Sequence, residues 1–160
     1  MSAAARDARF MRRAVERARA GIEAGQTPFG ACIVRGQEVV ACEHNVVWAT
    51  TDITAHAEVH AIRSACRELG TIDLAGCEIF TTCEPCPMCF SACHWARLDR
   101  IVYGAEIEDA RAAGFSELRL SNREMKRRGG SPVELEGGVE REACAELFRR
   151  WREHPDSRAY

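Results

Sequence analysis

The sequence predicts an α/β fold, with helices packed around one sheet as a sandwich. Three observations carry this expectation. Helical and strand periodicities alternate along the chain. The length of 160 residues fits a single domain. The composition, 46% hydrophobic and 29% charged, is that of a globular protein able to bury a core. No repeat, linker or low-complexity stretch divides it, so residues 1–160 are expected to form one domain.

The elements follow in order. Phe10, Ala14, Ala18 and Ile22 recur every fourth residue, which predicts an amphipathic helix over about residues 5–24 that ends near Gly25. Thr27-Pro28-Phe29-Gly30 reads as a turn. Ala31–Val34 and Glu38–Cys42 read as a hairpin joined at Arg35-Gly36-Gln37. A loop is expected from Asn45 to Thr54, a helix from about Ala55 to Leu69 and a strand from Cys77 to Thr82. A helix begins near Pro85 and ends near Ala96, and Ile101–Tyr103 is another strand. Glu108–Ala113 suggests a helical turn, and Glu117–Arg128 a helix stopped by Gly129-Gly130. Pro132–Leu135 suggests a last strand. Val139–Arg152 reads as a helix, with Ala143, Leu147 and Trp151 in one row and Cys144 and Phe148 beside it. The tail from Glu153 to Tyr160 carries no regular pattern.

Charge and cysteine usage narrow the function classes. The formal net charge of −2 gives no global sign of a nucleic-acid binder. No stretch approaches the ~18 apolar residues of a membrane span. The arginine-rich start resembles a transit peptide, but Asp7 and Glu16 favour a solvated helix face. Nine cysteines, an odd count without a secretory signal, disfavour a disulfide framework and point to a reducing, cytoplasmic setting. There, clustered cysteines bind metal or do chemistry.

Two stretches stand out, Thr54-Ala55-His56-Ala57-Glu58 and Cys83-Glu84-Pro85-Cys86-Pro87-Met88-Cys89, each where a loop opens into a helix. A catalytic zinc needs three protein ligands and one open position for water. Cys86 and Cys89 are three apart, so both sulfurs lie on one face of a helix start, where the dipole lowers thiol pKa values. With neutral His56, two thiolates balance the charge of Zn2+, and a water in the fourth position becomes acidic. Glu58 lies two residues from His56 and so points to one side of the metal. A carboxylate there can take the proton of the water and pass it to a substrate. Hydrolytic deamination needs that service: hydroxide adds to an amidine-like carbon, a ring nitrogen is protonated and ammonia leaves. H-x-E followed by P-C-x-x-C is the recognised signature of zinc nucleobase deaminases.

On these residues the chain resembles the cytidine deaminase-like superfamily. Thr27-Pro28-Phe29-Gly30-Ala31, His44-Asn45-Val46, Trp95-Ala96-Arg97, Ala113-Gly114-Phe115 and Tyr160 make it similar to its small bacterial guanine deaminases, from the first helix to Tyr160 and most weakly between Leu118 and Gly138. The resemblance implies a three-layer α/β/α sandwich with a five-stranded mixed sheet, and one zinc on His56, Cys86 and Cys89 with Glu58 as proton shuttle. It implies that Asn45 hydrogen-bonds the base, Phe29 packs on its ring and Trp95 helps wall the pocket. Glu117 falls where an acidic residue faces the substrate. A carboxylate suits the paired N1–H and amine donors of guanine, and the alternative for Glu117 is a solvated helix residue. The resemblance further implies homodimers, with a tail (about 153–160, ending in Tyr160) closing an active site, in some members that of the partner by domain swapping.

Rival readings remain. Cys83, Cys86, Cys89 and Cys93 have the spacing of a bacterial ferredoxin cluster, an iron–sulfur or structural-metal protein, but that leaves His56 and Glu58 without a role. His56 and His60 are four apart, yet residue 57 is alanine, not the glutamate of a zinc protease. Cys32, Cys42, Cys66, Cys77 and Cys144 read as buried packing. His44, His94 and His154 read as satisfied or exposed. The basic run Arg119, Arg123, Lys126, Arg127 and Arg128 reads as a solvated face, or as a contact for transfer RNA. The leading expectation is deamination of guanine to xanthine. Deamination of adenosine in transfer RNA, or of cytosine or guanosine, uses the same zinc chemistry.

Overall fold

The computed structural model describes all residues, 1–160. The elements are α1 (Ala3–Glu23), β1 (Gly30–Arg35), β2 (Glu38–His44), α2 (Val47–Thr50), α3 (Ala57–Leu69), β3 (Cys77–Cys83) and α4 (Pro87–Trp95). They continue with β4 (Arg100–Ala105), α5 (Ile107–Ala112), α6 (Asn122–Gly129), β5 (Glu134–Gly137) and α7 (Arg141–Glu153). The five strands form one sheet in the order β2-β1-β3-β4-β5. β2–β1 and β1–β3 are antiparallel, and β3–β4 and β4–β5 are parallel. The sheet is therefore mixed, as expected.

Strand residues alternate between two cores, because successive side chains leave opposite faces of a sheet. Cys32, Val34, Phe80 and Val102 face α1 and α7, and join the Phe10, Ala14, Ala18 and Ile22 row with Leu147 and Trp151. Ala31, Ile33, Ile79 and Ile101 face α3 and α4, and meet Ala61, Ala65, Phe90 and Cys93. This is the three-layer sandwich. No helix is long and apolar enough to cross a membrane.

Local chemistry sets the helix ends. Ser2 caps α1 by accepting the Ala5 N–H at 3.2 Å, and Ser121 caps α6 by accepting the Glu124 N–H at 3.2 Å. α3 and α6 stop at Gly70 and Gly130, both left-handed, and Pro87 occupies the first turn of α4. The entry to β1 is unusually close to α1. A Cβ on Gly30 would lie 2.2 Å from the Ala14 carbonyl oxygen and 2.9 Å from the Ala18 nitrogen. Only glycine lets the helix backbone press there.

Several expectations shift. The loop after Asn45 holds a short helix, α2. The helix expected from Glu117 begins only at Asn122. Gly114, at φ 108°, breaks the chain after α5, and Ser121 sets the later start. The last strand moves two residues on, to Glu134–Gly137. Cys42 and Cys66 are half-buried, whereas Cys32, Cys77 and Cys144 are buried.

Candidate active site

The sheet delivers two chain segments to one point. α3 begins beside the end of β2, and α4 begins beside the end of β3. His56 and Cys86 are the residues immediately preceding these helices, both in extended backbone conformation, and neither side chain caps its own helix. Cys89 follows in the first turn of α4, on the face of Cys86.

The Nδ1 of His56 lies 3.7 Å from the Cys86 Sγ and 3.5 Å from the Cys89 Sγ. Their three ligand atoms all lie within 4.8 Å of one another. A tetrahedral zinc with bonds of ~2.3 Å to sulfur and ~2.0 Å to nitrogen sets such atoms roughly 3.5–3.8 Å apart. Spacing and donor set therefore fit Zn2+: two thiolates and one imidazole, with a fourth position left for water. The Cys86 thiol is pulled down to about 4 by its hydrogen bond with Cys89, against burial, and His56 adds to the effect. A thiolate is the form that ligates.

Glu58 sits in the first turn of α3, 8% exposed. Burial pushes its carboxyl up to about 7, and the neighbouring Cys86 charge acts in the same direction. It lines a small cavity with Phe29, His56, Cys86, Glu117 and Tyr160. Glu117 is half-buried there, and burial raises its carboxyl too. The Phe29 ring is held edge-on by Phe115 at 5.0 Å and Phe148 at 5.7 Å.

Asn45 is fully buried at the end of β2. Its Oδ1 accepts the Val47 N–H at 3.0 Å, and its Nδ2 donates to the Tyr160 hydroxyl at 2.7 Å. The Tyr160 ring lies 5.5 Å from the His56 ring of its own chain. The tail is held by Trp48, whose Nε1 donates to the Arg158 carbonyl at 3.1 Å while the Arg158 guanidinium stands 3.9 Å above its ring. The tail thus packs against the cavity, with Tyr160 among its lining residues. The enclosed space is about 20 Å³, room for roughly one water.

Trp95 lies apart from the other expected site residues in this chain. It does not wall this cavity but stands 81% exposed at the far end of α4, in an open groove with Ile72, Arg97 and Pro132. Nine residues of helix separate it from Cys86, about 13 Å of rise. The other histidines are satisfied: His44 Nδ1 meets the Asn45 carbonyl at 2.8 Å, His60 Nδ1 the His44 carbonyl at 3.1 Å and His94 Nδ1 the Ser131 hydroxyl at 2.9 Å. Cys83 and Glu84 also border the cavity, which the spacing argument did not find. The cue was an acidic residue directly before the Pro-Cys pair.

A family model for the cytidine and deoxycytidylate deaminase zinc-binding region matches residues 4–105. A guanine deaminase of Bacillus subtilis is 49% identical over 109 residues, 68% of this chain and 70% of that protein. A tRNA-specific adenosine deaminase of Aquifex aeolicus is 42% identical over 96 residues, 60% of this chain and 64% of that protein. A solved guanine deaminase structure from Nitrosomonas europaea superposes with a TM-score of 0.82 at 30% identity, covering 90% of this chain and 83% of that one.

Proposed function

This chain belongs to the cytidine and deoxycytidylate deaminase family, as a zinc-dependent nucleobase or nucleoside deaminase, and from that premise we propose that it converts guanine and water to xanthine and ammonia. The observation that carries the choice of base is Glu117, which faces the same cavity as His56, Glu58 and Phe29. Two carboxylate oxygens match the N1–H and exocyclic amine of guanine, a pair of donors that adenine and cytosine do not offer. The similarity to guanine deaminases supports the same reading.

His56, Cys86 and Cys89 would hold a zinc, which would supply an acidified water as the nucleophile. The remaining work belongs to side chains. Phe29 presents its ring to the base. Asn45 holds the base edge once its amide turns from Tyr160. Glu58 takes a proton from the attacking water and delivers it to ring nitrogen N3; it then takes the second proton from the new C2 hydroxyl and passes it to the amine, which leaves as ammonia while the C2 carbonyl forms. Its buried position keeps the carboxyl near neutrality, where both directions of transfer are available. A purine is far larger than the enclosed space, so the tail withdraws for entry and returns to exclude water.

The test is ammonia release by zinc-loaded protein offered guanine, guanosine, adenine, cytosine, cytidine and a transfer-RNA anticodon stem. The expected result is fast turnover of guanine alone, insensitive to salt. Turnover of another small base would overturn the role of Glu117. The second reading, adenosine editing in transfer RNA, draws on the similarity to the Aquifex enzyme and on the exposed arginines of α6. It predicts activity on the RNA alone, falling steeply with salt. The closed tail speaks against it, because an anticodon loop needs an open approach.

A further inference from the structure

Glu84 is a buried carboxylate, 8% exposed, that belongs neither to the metal ligands nor to the proton shuttle. It stands between the end of β3 and Cys86. Both of its oxygens are taken by main-chain donors. Oε1 accepts the Asn122 N–H at 2.9 Å, and Oε2 accepts the Ile107 N–H at 3.3 Å. Ile107 opens α5 and Asn122 opens α6. One side chain therefore gathers the two ends of the segment 107–122, whose middle carries Phe115 and Glu117. A second tie runs beside it, as the Asn122 Nδ2 donates to the Pro85 carbonyl at 2.6 Å. The Glu84 N–H in turn donates to the Ala105 carbonyl at 2.8 Å, which roots this loop on the end of β4.

The chemistry explains why the residue is acidic. Two N–H donors converge on one side chain, so that side chain must supply two acceptors. A carboxylate does so, and the bonds to a charged acceptor offset its burial. An amide would meet one donor and turn its own NH2 against the other. With its oxygens committed, Glu84 acts through its neighbours and not on the base.

We propose that Glu84 is a positioning residue, which fixes the segment bearing Glu117 against the loop bearing Cys86, so that the base edge is read at a set distance from the metal. The inference rests on the reading of Glu117 as the base selector. Two independent measurements test it. In Glu84→Gln, zinc stays at one per chain, KM for guanine rises about tenfold and kcat changes less than about threefold, as expected when one buried hydrogen bond that orients the base is lost. Hydrogen exchange at the Ile107 and Asn122 amides, and across residues 113–121, accelerates, while β1 and β3 exchange as before. Glu84→Asp, which keeps two acceptors on a shorter arm, gives intermediate values and serves if the amide variant does not fold. In a Glu117→Gln background, Glu84→Gln adds no further rise in KM. Unchanged exchange at the two amides, or lost zinc and kcat at constant KM, overturns the proposal. If Glu117→Gln alone leaves KM unchanged, the selector reading fails, while the exchange data still decide whether Glu84 is the clamp.

Discussion

Gly30→Ala should damage both stability and substrate binding, and the size of the effect can be worked from the backbone. The new Cβ would lie 2.2 Å from the Ala14 carbonyl oxygen and 2.9 Å from the Ala18 nitrogen. Ordinary contacts of this kind are about 3.4 Å, so α1 must retreat by about an ångström at its middle. Neither offending atom can swing aside, since both are main chain. The retreat opens the core formed by Ala14, Ala18, Cys32, Phe80 and Leu147. Overpacking against rigid backbone costs about 3 kcal/mol, at the upper end for small-to-large changes. At this chain length that corresponds to a fall in Tm of roughly 6–12 °C. The Gly30 N–H donates to the Thr82 hydroxyl at 3.1 Å, and Phe29 precedes it, so the aromatic that packs on the base also moves. The assay is thermal unfolding of the zinc-loaded protein, with KM for guanine measured below the transition. A variant within 2 °C of the parent and with the same KM would show that the close approach of α1 to β1 does not govern this corner, and would refute the argument.

Other expectations are equally concrete. Glu58→Ala should retain one zinc per chain by metal analysis yet lose turnover by at least about 10³-fold, since Glu84 is committed to main-chain donors and Glu117 is assigned to the base edge. Glu117→Gln should lower kcat/KM for guanine about 30- to 100-fold, because one charge-assisted acceptor becomes a donor facing donors. Competition between guanine and 2-aminopurine, which lacks the N1–H, reads this directly. From the Asn45–Tyr160 hydrogen bond within one chain, the expectation is that mixing inactive His56→Ala and Tyr160→Ala chains restores no activity. Recovered turnover would instead mean a homodimer that exchanges tails. Burial pushes the Cys144 thiol from its usual 9.0 to about 12. The folded state holds that proton more tightly, so this contribution is intact below pH 9 and declines from pH 9 toward 12, by up to about 1.4 kcal/mol per pH unit. Urea unfolding at pH 8 and pH 10 should show the loss, with a smaller one in Cys144→Ala.

The metal ligands were legible because their chemistry is local. Cys86 and Cys89 are brought together by the turn of one helix, and the H-x-E spacing sets Glu58 beside His56 by the same geometry. The rows of α1 and α7 were legible for a similar reason, since a buried stripe must repeat at the helical period. The resemblance put Trp95 at the pocket wall, whereas α4 carries it along its axis away from the cavity of its own chain. Glu117 was expected in a helix, but its neighbours Gly114 and Ser121 hold it in an irregular stretch that faces the cavity. Tyr160 reaches Asn45 across 115 positions, and the Trp48 latch that holds the tail has no local pattern at all. Glu84 was passed over because a lone acidic residue looks the same whether solvated or clamped between two amides.

His56 and Cys86 each stand where a serine or aspartate normally caps a helix, yet neither performs that task. The first turns of α3 and α4 therefore depend on what those two side chains hold. Zinc would add there a tie that no side-chain cap supplies, joining the start of α3 to the start of α4. Loss of the metal would then cost local order at both helix starts together with turnover, so the two should fall in step as zinc is withdrawn.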